Sequence, residues 1–245
     1  MAQKQRQEQI LQILKTQGFV TVRYLTEKLQ YSTATVNRDL NALQLAGLVK
    51  RSYGGVEAAQ QSHLPPFVQR QFYHKKEKRR IAEVAVQQIR EGDTVFLGAS
   101  TTVQYMVPFL SQRRNIRIIT NSLRIAMELG ETELEVICLG GRVIERPYNL
   151  SGEDTVANAL RYFPDKAFFS TSQVTEGGQI HGSNALYHVM LHNCRQVWFL
   201  TDRTKLTDRV GTALCDFSAL TGVISDFPFP AETQARYPEV TFLSL

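Results

Sequence analysis

Seven short apolar runs alternate with stretches of helical periodicity after Asp93, and they constrain the fold more than any other feature of the chain. Continuous apolar runs are typical of strands that are buried on both faces, and strands separated by helices pair in parallel. The runs occupy residues 94–97, 116–120, 135–139, 167–169, 197–201, 220–225 and 240–243. We therefore predict an α/β domain whose mostly parallel sheet is covered by helices on both faces.

Small polar residues follow five of these runs, at the ends where parallel sheets bind their ligands. They bring backbone N–H groups and hydroxyls to the starts of helices, where an anion such as a phosphate is well held. The same residue types are also ordinary helix caps, so each group alone is a weak signal. The candidate ligand-binding residues are Ser100, Thr101, Thr102, Asn121, Ser122, Gly140, Gly141, Arg142, Ser170, Thr171 and Lys205.

The first 47 residues contain three stretches of helical periodicity. They span residues 4–17, 22–30 and 32–47, and the last two form a predicted helix-turn-helix. Residues 48–57 then form two extended arms about a Gly-Gly turn, which is the pattern of a basic hairpin or wing. Lys50, Arg51 and Tyr53 on this hairpin are placed to touch phosphate or a minor groove.

The third predicted helix presents a short, polar and cationic face to the outside. Ser32 can cap its first turn and Gly47 marks its end, while Val36, Leu40 and Leu43 form the opposite, apolar stripe. Asparagine and arginine pair bidentately with adenine and guanine edges, so the polar face suits a helix that reads DNA. An ordinary amphipathic surface helix is the alternative. The candidate DNA-binding residues on this helix are Thr33, Ala34, Thr35, Asn37, Arg38 and Asn41.

Charge is spread unevenly along the chain. Residues 1–80 hold 14 Lys and Arg against 5 Asp and Glu, a net +9, while residues 81–245 hold 14 against 18, a net −4. This asymmetry indicates a polyanionic partner for the N-terminal part. Membrane attachment is the alternative, but there is no apolar run of about 18 residues and no signal-peptide core after Met1. We therefore expect a cytoplasmic protein.

Two sequence signatures resemble the DeoR family of bacterial transcriptional regulators. The run T-V-N-R-D-L, followed by L-x-x-A-G-L-V-K-R-x-Y-G-G, is similar to the N-terminal signature of that family. The second half is similar to its effector domain, through T-T at 101–102, T-N-S at 120–122, L-G-G at 139–141, D-K-A-F at 165–168 and T-D-x-x-K ending at Lys205. The resemblance implies a fold like that of ribose-5-phosphate isomerase, with these loops around a phosphorylated intermediate of sugar metabolism.

The chain also departs from the family pattern at several positions. The family usually has a second arginine where this chain has Asn37, and Asp-x-Gly-Thr-Thr where this chain has residues 98–102. It usually has Gly-Ile-Asp where this chain has residues 173–175, and a lysine where this chain has Tyr187. Three ionisable groups are thereby missing from the expected pocket, including the carboxylate that an isomerase needs as a base. We therefore expect no catalytic residues.

The remaining polar and sulfur-containing residues are assigned no chemistry. Cys138, Cys194 and Cys215 are far apart and lack metal-type spacing, so we expect reduced, mostly buried thiols and neither a metal nor a cofactor. The charge run at 75–80 opens a helix predicted to extend to Glu91. A solvated helix start is favoured there over a second DNA contact. Four of the five histidines, His63, His74, His181 and His188, are expected to be solvated or structural, with His181 as the alternative ligand contact.

These observations define one main hypothesis. Residues 1–57 form a winged helix-turn-helix DNA-binding domain, residues 58–74 a linker, and residues 75–245 an effector-binding and oligomerisation domain. We expect a sequence-specific repressor of a sugar metabolism operon that binds double-stranded operator DNA, senses a phosphorylated sugar and forms a homodimer or homotetramer. The alternatives are a sugar-phosphate isomerase with a DNA-binding appendage, and an effector-blind interaction protein.

Overall fold

The computed structural model describes residues 3–17, 19–45, 48–52, 55–58, 70–145, 149–182, 184–208 and 211–245. Two compact units divide the chain, at residues 1–65 and 66–245. The predicted linker at 58–74 lies mostly outside the described residues, as do Gly47, Tyr53, Gly54 and His63. Within the described ranges, no helix is long and apolar enough to cross a membrane.

Three helices and a small antiparallel sheet build the first unit. The helices are α1 (Gln3–Gln17), α2 (Val22–Leu29) and α3 (Thr33–Leu45), and the strands are β1 (Phe19–Val20), β2 (Val49–Ser52) and β3 (Gly55–Ala58). The strands pair in the order β1-β3-β2, with β2 and β3 as an antiparallel hairpin. The predicted helix-turn-helix and wing are therefore confirmed, with helix ends that differ by one or two residues.

Local capping explains where the helices of this unit begin and end. Thr21 accepts from the backbone N–H of Tyr24 at the start of α2, and Gln30 leaves the helix in a left-handed conformation. The hydroxyl of Ser32 accepts from the N–H of Thr35, which satisfies an orphaned donor at the start of α3. The apolar stripe of α3 is buried in a core with α1 and α2.

A seven-stranded sheet forms the centre of the second unit. Its strands are β4 (Thr94–Leu97), β5 (Arg117–Thr120), β6 (Glu135–Cys138), β9 (Lys166–Phe169), β12 (Gln196–Thr201), β14 (Gly222–Ser225) and β15 (Thr241–Ser244). They pair in the order β15-β14-β12-β9-β4-β5-β6, and every pairing is parallel. All seven predicted strands are confirmed, in a sheet that is wholly parallel.

Helices cover both faces of this sheet. They are α4 (Lys75–Gln87), α5 (Thr101–Gln104), α6 (Val107–Leu110), α7 (Leu123–Gly130), α8 (Glu153–Ala159), α9 (Ala185–Asn193) and α10 (Ala231–Arg236). Val95 and Leu97 belong to the core on one face, and Phe96 between them belongs to the core on the other. Successive side chains of a strand point to opposite faces, so a strand buried on both sides must be apolar throughout.

Two smaller sheets were not predicted. One is a ribbon of β7 (Arg142–Glu145) and β8 (Asn149–Ser151), and the other joins β10 (Gln173–Val174), β11 (Gln179–His181) and β13 (Ala213–Asp216). Their strands have two to four residues and carry polar side chains, so they leave no apolar run in the sequence.

The structure corrects two expectations about buried positions and helix length. All three cysteines are free, but Cys138 is exposed and Cys194 and Cys215 are half-buried, so the expectation of mostly buried thiols is wrong. Cys138 ends β6, which lies at the edge of the sheet among the described strands. The helix that opens at Lys75 ends at Gln87, before the predicted end at Glu91.

Candidate functional sites

The strand order places a topological switch point at the carboxyl end of β4. From this central strand the sheet extends to β5 and β6 on one side, and to β9, β12, β14 and β15 on the other. In open parallel sheets, ligands bind in the crevice where the order reverses, beyond the carboxyl ends of the strands. The loops after β4, β9 and β12 meet at this point.

Lys205 joins these three loops through its ammonium group. Its Nζ donates to Thr102 Oγ1 at 2.9 Å and to Ser170 Oγ at 2.6 Å. The lysine ends a 3-10 turn, Arg203–Lys205, in which the N–H of Thr204 donates to the carboxylate of Asp202. Lys205 Nζ lies 3.6 Å from Asp202 Oδ2, and the lysine side chain is 14% exposed. Three of the predicted ligand-binding residues, Thr102, Ser170 and Lys205, are therefore in direct contact.

Burial and neighbouring charges set the protonation of this pair. Burial is the largest cause that lowers the pKa of Lys205. Asp202 raises the pKa, while Lys78 and Arg70 lower it, and the combined effect is a pKa of about 8. For Asp202, burial raises the pKa, but Lys205, the Thr204 side chain, Lys78 and His74 outweigh it and the pKa is lowered overall. The carboxylate stays ionised at neutral pH, and the ammonium is a cation that gives up its proton more readily than an exposed lysine.

The other predicted residues of the first two loops support the backbone around this point. Ser100 caps α5 by accepting from Val103 N–H, and Ser122 caps α7 by accepting from Ile125 N–H. Asn121 Oδ1 accepts from Ala99 N–H at 3.1 Å, and its amide nitrogen donates to the carbonyl of Leu150. The Asn121 side chain thereby ties the loop after β4 to the loop after β5. Thr101 is buried beside Thr102, and Thr171 donates to the carbonyl of Gln173.

The Gly140–Arg142 group lies on the ribbon side of the unit. Gly141 has a φ of +131°, and a Cβ there would collide with the hydroxyl of Thr155, so this turn requires glycine. Thr155 donates to the carbonyl of Gly140 at 2.7 Å. Arg142 is exposed at the start of β7. The contacts among the described residues do not bring this group to Lys205, so its ligand-binding role stays a prediction.

Lys78 is a buried lysine whose charge acts on Lys205 and Asp202, and the sequence did not predict its burial. It was assigned to a solvated helix start, but it is 5% exposed, and its Nζ donates to the carbonyl of Arg70 at 2.7 Å. Burial lowers its pKa, and the charge of Asp202 opposes that effect.

Lys78 precedes the buried Ile81 and Ala82 by three and four positions, and this spacing assigns it to the inner face of α4. The solvated interpretation is wrong for this lysine, while Lys75, Lys76, Arg79 and Arg80 are exposed as expected.

His181 is buried on β11 and has a structural contact. Its Nδ1 accepts from the backbone N–H of Gly211 at 3.3 Å. Nε2 is buried without a hydrogen-bond partner among the described residues. His74 and His188 are exposed.

The polar face of α3 points outward from the first unit. Thr33, Ala34, Arg38 and Asn41 are exposed, and Thr35 and Asn37 are half-buried. Below this face, Asp39 is fully buried and forms an ion pair with Arg6, which ties α1 to α3. Of the predicted hairpin residues, Tyr53 and the side chain of Lys50 lie outside the described part.

Arg51 bridges two of the predicted DNA-binding residues. One terminal nitrogen donates to Asn41 Oδ1 at 2.8 Å and the other to Asn37 Oδ1 at 2.6 Å. The guanidinium of Arg51 therefore lies against α3, and the contact with phosphate or a minor groove that the sequence predicts for Arg51 stays a prediction. Sequence periodicity cannot show the contact with α3, because it depends on how the hairpin packs beside the helix.

Family models match both units of the chain. A DeoR-like helix-turn-helix domain matches residues 6–62, and a DeoR C-terminal sensor domain matches residues 73–227. The chain belongs to the DeoR family. It is accordingly a DNA-binding transcription regulator with a helix-turn-helix and a sensor domain.

Curated relatives of this DeoR family member match it along most of their length. It is 29% identical to the glycerol-3-phosphate regulon repressor of Escherichia coli K12, over 94% of this chain and 93% of the relative. It is 33% identical to the lactose phosphotransferase system repressor of Lactococcus lactis subsp. lactis, over 84% of each. Among solved structures, ribose 5-phosphate isomerase A of Methanocaldococcus jannaschii matches with 18% identity and a TM-score of 0.42, over 56% of each chain.

Proposed function

We propose that this DeoR family regulator is a repressor of a sugar metabolism operon, and that a phosphorylated sugar bound near Lys205 modulates its affinity for operator DNA. The observation that carries the proposal is the contact of Lys205 with Thr102 and Ser170 at the switch point of a sensor-domain sheet. A buried ammonium with hydroxyl neighbours at strand ends suits a phosphate. The names of the two repressors described above, of a glycerol-3-phosphate regulon and a lactose phosphotransferase system, support this ligand class.

The DNA-binding part of the proposal rests on α3 and its neighbours. Arg38 is exposed on the outer face, between the half-buried Asn37 and the buried Asp39. Arginine reads guanine bidentately, so Arg38→Ala should cost about 1 to 3 kcal/mol on a specific site and little on random DNA. Titration of both DNAs at one salt concentration tests this, because equal losses on the two would exclude a base-reading role for Arg38.

The proposed sensor binds its ligand without converting it. The carboxylate paired with Lys205, Asp202, is 1% exposed and has a lowered pKa, so it is a weak base at neutral pH. The rival function, sugar-phosphate isomerisation, requires a base that takes a proton from carbon. Incubation of the protein with each sugar phosphate that binds should return the compound unchanged, and formation of an isomer would overturn this part of the proposal.

The route from the ligand to the DNA-binding unit starts at Lys78. This lysine donates a hydrogen bond to the carbonyl of Arg70, and the hydroxyl of Tyr105 donates one to the carbonyl of Gln71 at 2.6 Å. Residues 70 and 71 are the first described ones after the segment that joins the two units. An anionic ligand that pairs with Lys205 weakens the attraction between Lys205 and Asp202. The interaction of Asp202 with Lys78 then changes, and with it the strength of the hydrogen bond from Lys78 to the carbonyl of Arg70. Ligand binding would in this way change the hydrogen bonding of the first described residues of the sensor unit.

We further propose that the regulator acts as a homodimer or homotetramer, and that its ligand-binding domain supplies the self-association. Repeated or palindromic operators require a symmetric dimer at least. Sedimentation of the full-length protein at micromolar concentration should show a dimer or a larger species, and a strictly monomeric protein would contradict this proposal.

A thermal screen tests the ligand-binding function. One or a few sugar phosphates should raise the melting temperature, since a ligand at 100 times its Kd stabilises by about 2.7 kcal/mol, and the parent sugars should do little. Lys205→Met should abolish the shift, because it removes the ammonium from the site. Lys76→Met is the matched control: Lys76 is exposed on α4, so this variant should keep the shift. A full shift in Lys205→Met would place the ligand elsewhere.

A further inference from the structure

The guanidinium of Arg51 spans one turn of the DNA-reading helix. It donates from two different nitrogens to the oxygens of Asn37 and Asn41, at 2.6 and 2.8 Å. Residues four apart on a helix are neighbours on one face, which puts both amides within reach of one planar fork. A lysine has a single compact ammonium and cannot reproduce this two-pronged geometry.

The chemistry of the guanidinium determines how both amides are oriented. Arginine has hydrogen-bond donors and no acceptor, so each asparagine must turn its oxygen toward Arg51. The amide nitrogens of Asn37 and Asn41 then lie on the side away from Arg51. Each presents a donor there, while its oxygen is engaged.

This orientation changes which base edge α3 fits. An asparagine that reads adenine uses its oxygen to accept from N6 and its nitrogen to donate to N7. With the oxygens engaged, Asn37 and Asn41 offer donors, and Arg38 beside them also offers only donors. The matching major-groove edges carry acceptors: guanine with N7 and O6, and thymine with O4.

We infer that Arg51 is a positioning residue that sets the specificity of α3, by holding Asn37 and Asn41 as donors toward guanine-rich, acceptor-bearing base edges. The inference rests on the proposed reading of DNA by α3. It gives Arg51 a role that differs from the phosphate or minor-groove contact predicted from the sequence. Arg51 acts through the two asparagines, and Arg38 reads its own base beside them.

Selection from a random double-stranded DNA library, with the full-length protein at one salt concentration, tests the inference. The wild type should enrich half-sites with G·C pairs opposite residues 37, 38 and 41, because guanine carries two neighbouring acceptors and the A·T edge includes the N6 donor. Arg51→Lys keeps the charge and releases the amides, so the preference at one or two of these pairs should move from G·C toward A·T by about tenfold. An unchanged preference with weaker binding on all sequences would show a simple phosphate contact and overturn the inference.

Two further variants isolate the role of the asparagines. In the Asn37→Ala/Asn41→Ala background, Arg51→Lys should change the base preference no further, and an additional change would contradict action through the amides. Asn41→Asp keeps the acceptor that Arg51 contacts and removes the outward donor, so the preference for G·C at one pair should fall. An unchanged preference in Asn41→Asp would also count against the inference.

The selection separates failure of the inference from failure of the proposed function. If the wild type enriches no sequence at all, the proposed reading of DNA by α3 fails. If it enriches a sequence and both Arg51→Lys and Asn41→Asp enrich the same one, only the orienting role of Arg51 fails.

Discussion

Tyr187 packs so closely against Gly98 that position 98 has no room for a larger residue without movement of its neighbours. A Cβ on Gly98 would lie 3.0 Å from the hydroxyl oxygen of Tyr187 and 3.1 Å from a ring carbon. The ring of Tyr187 also packs on Phe169, with centroids 5.1 Å apart. Both residues are departures from the family pattern, and they lie in contact at the carboxyl end of β4. The departures from the family pattern at positions 98 and 187 are therefore coupled, because the side chain at 187 limits the size of the residue at 98.

Gly98→Ala should lower the free energy of unfolding by about 1 to 3 kcal/mol, because the tyrosine ring or the strand end must shift. The loss should be smaller in a Tyr187→Ala background, where the added methyl group has space. Denaturant unfolding of the four proteins of this cycle measures the coupling. Gly130→Ala is the control, since a Cβ at Gly130 meets nothing within 4 Å and should cost nothing. Equal losses in both backgrounds would show that the contact does not restrict position 98.

Ligand affinity should depend on pH through Lys205. Its pKa is lowered to about 8, and an anionic ligand favours the charged form and raises that pKa. Below pH 8 the free protein already holds the proton, while above it binding must take up a proton, so affinity should fall by up to about tenfold per pH unit. Calorimetric titration at pH 7 and 9 measures this, with the ligand phosphate doubly ionised at both. An affinity equal at the two pH values would mean that Lys205 does not hold the phosphate.

Lys78→Met should raise the pKa of Lys205, since the positive charge of Lys78 lowers it. The loss of affinity with rising pH should then begin at a higher pH than in the wild type. Arg79→Met, on the exposed neighbour in α4, should leave the pH profile unchanged. The same calorimetric titrations compare the three proteins, and identical profiles for Lys78→Met and the wild type would remove Lys78 from the site.

The sequence predicted the main sheet well because burial on both faces leaves a continuous apolar signal. It predicted the site less well, because the charges in a sequence do not show which side chains point into the protein and which point into solvent. Lys78 stands in a run of six charged residues, and only its spacing to Ile81 and Ala82 distinguishes it from its exposed neighbours. The contacts of Arg51 with α3 and of Tyr187 with Gly98 join segments far apart in the chain, and no local pattern contains them.

Asp39→Ala should weaken binding to all DNA sequences. Asp39 is fully buried and pairs with Arg6, so its removal leaves a cation without its partner between α1 and α3 and destabilises the unit that carries the reading face. The thermal shift produced by the sugar phosphate should remain. DNA titration and the thermal screen on one preparation test this, and a selective loss on specific DNA alone would instead indicate a direct effect on base reading.

The most direct test of the account is the affinity of the full-length protein for its selected operator, with and without the sugar phosphate found in the thermal screen. Adding the compound should change the Kd for DNA by about 5- to 150-fold in the wild type and leave it unchanged in Lys205→Met. DNA affinity without the compound should be the same in both proteins. A wild-type Kd that does not respond to a compound bound at Lys205 would contradict the claim that this site controls DNA binding.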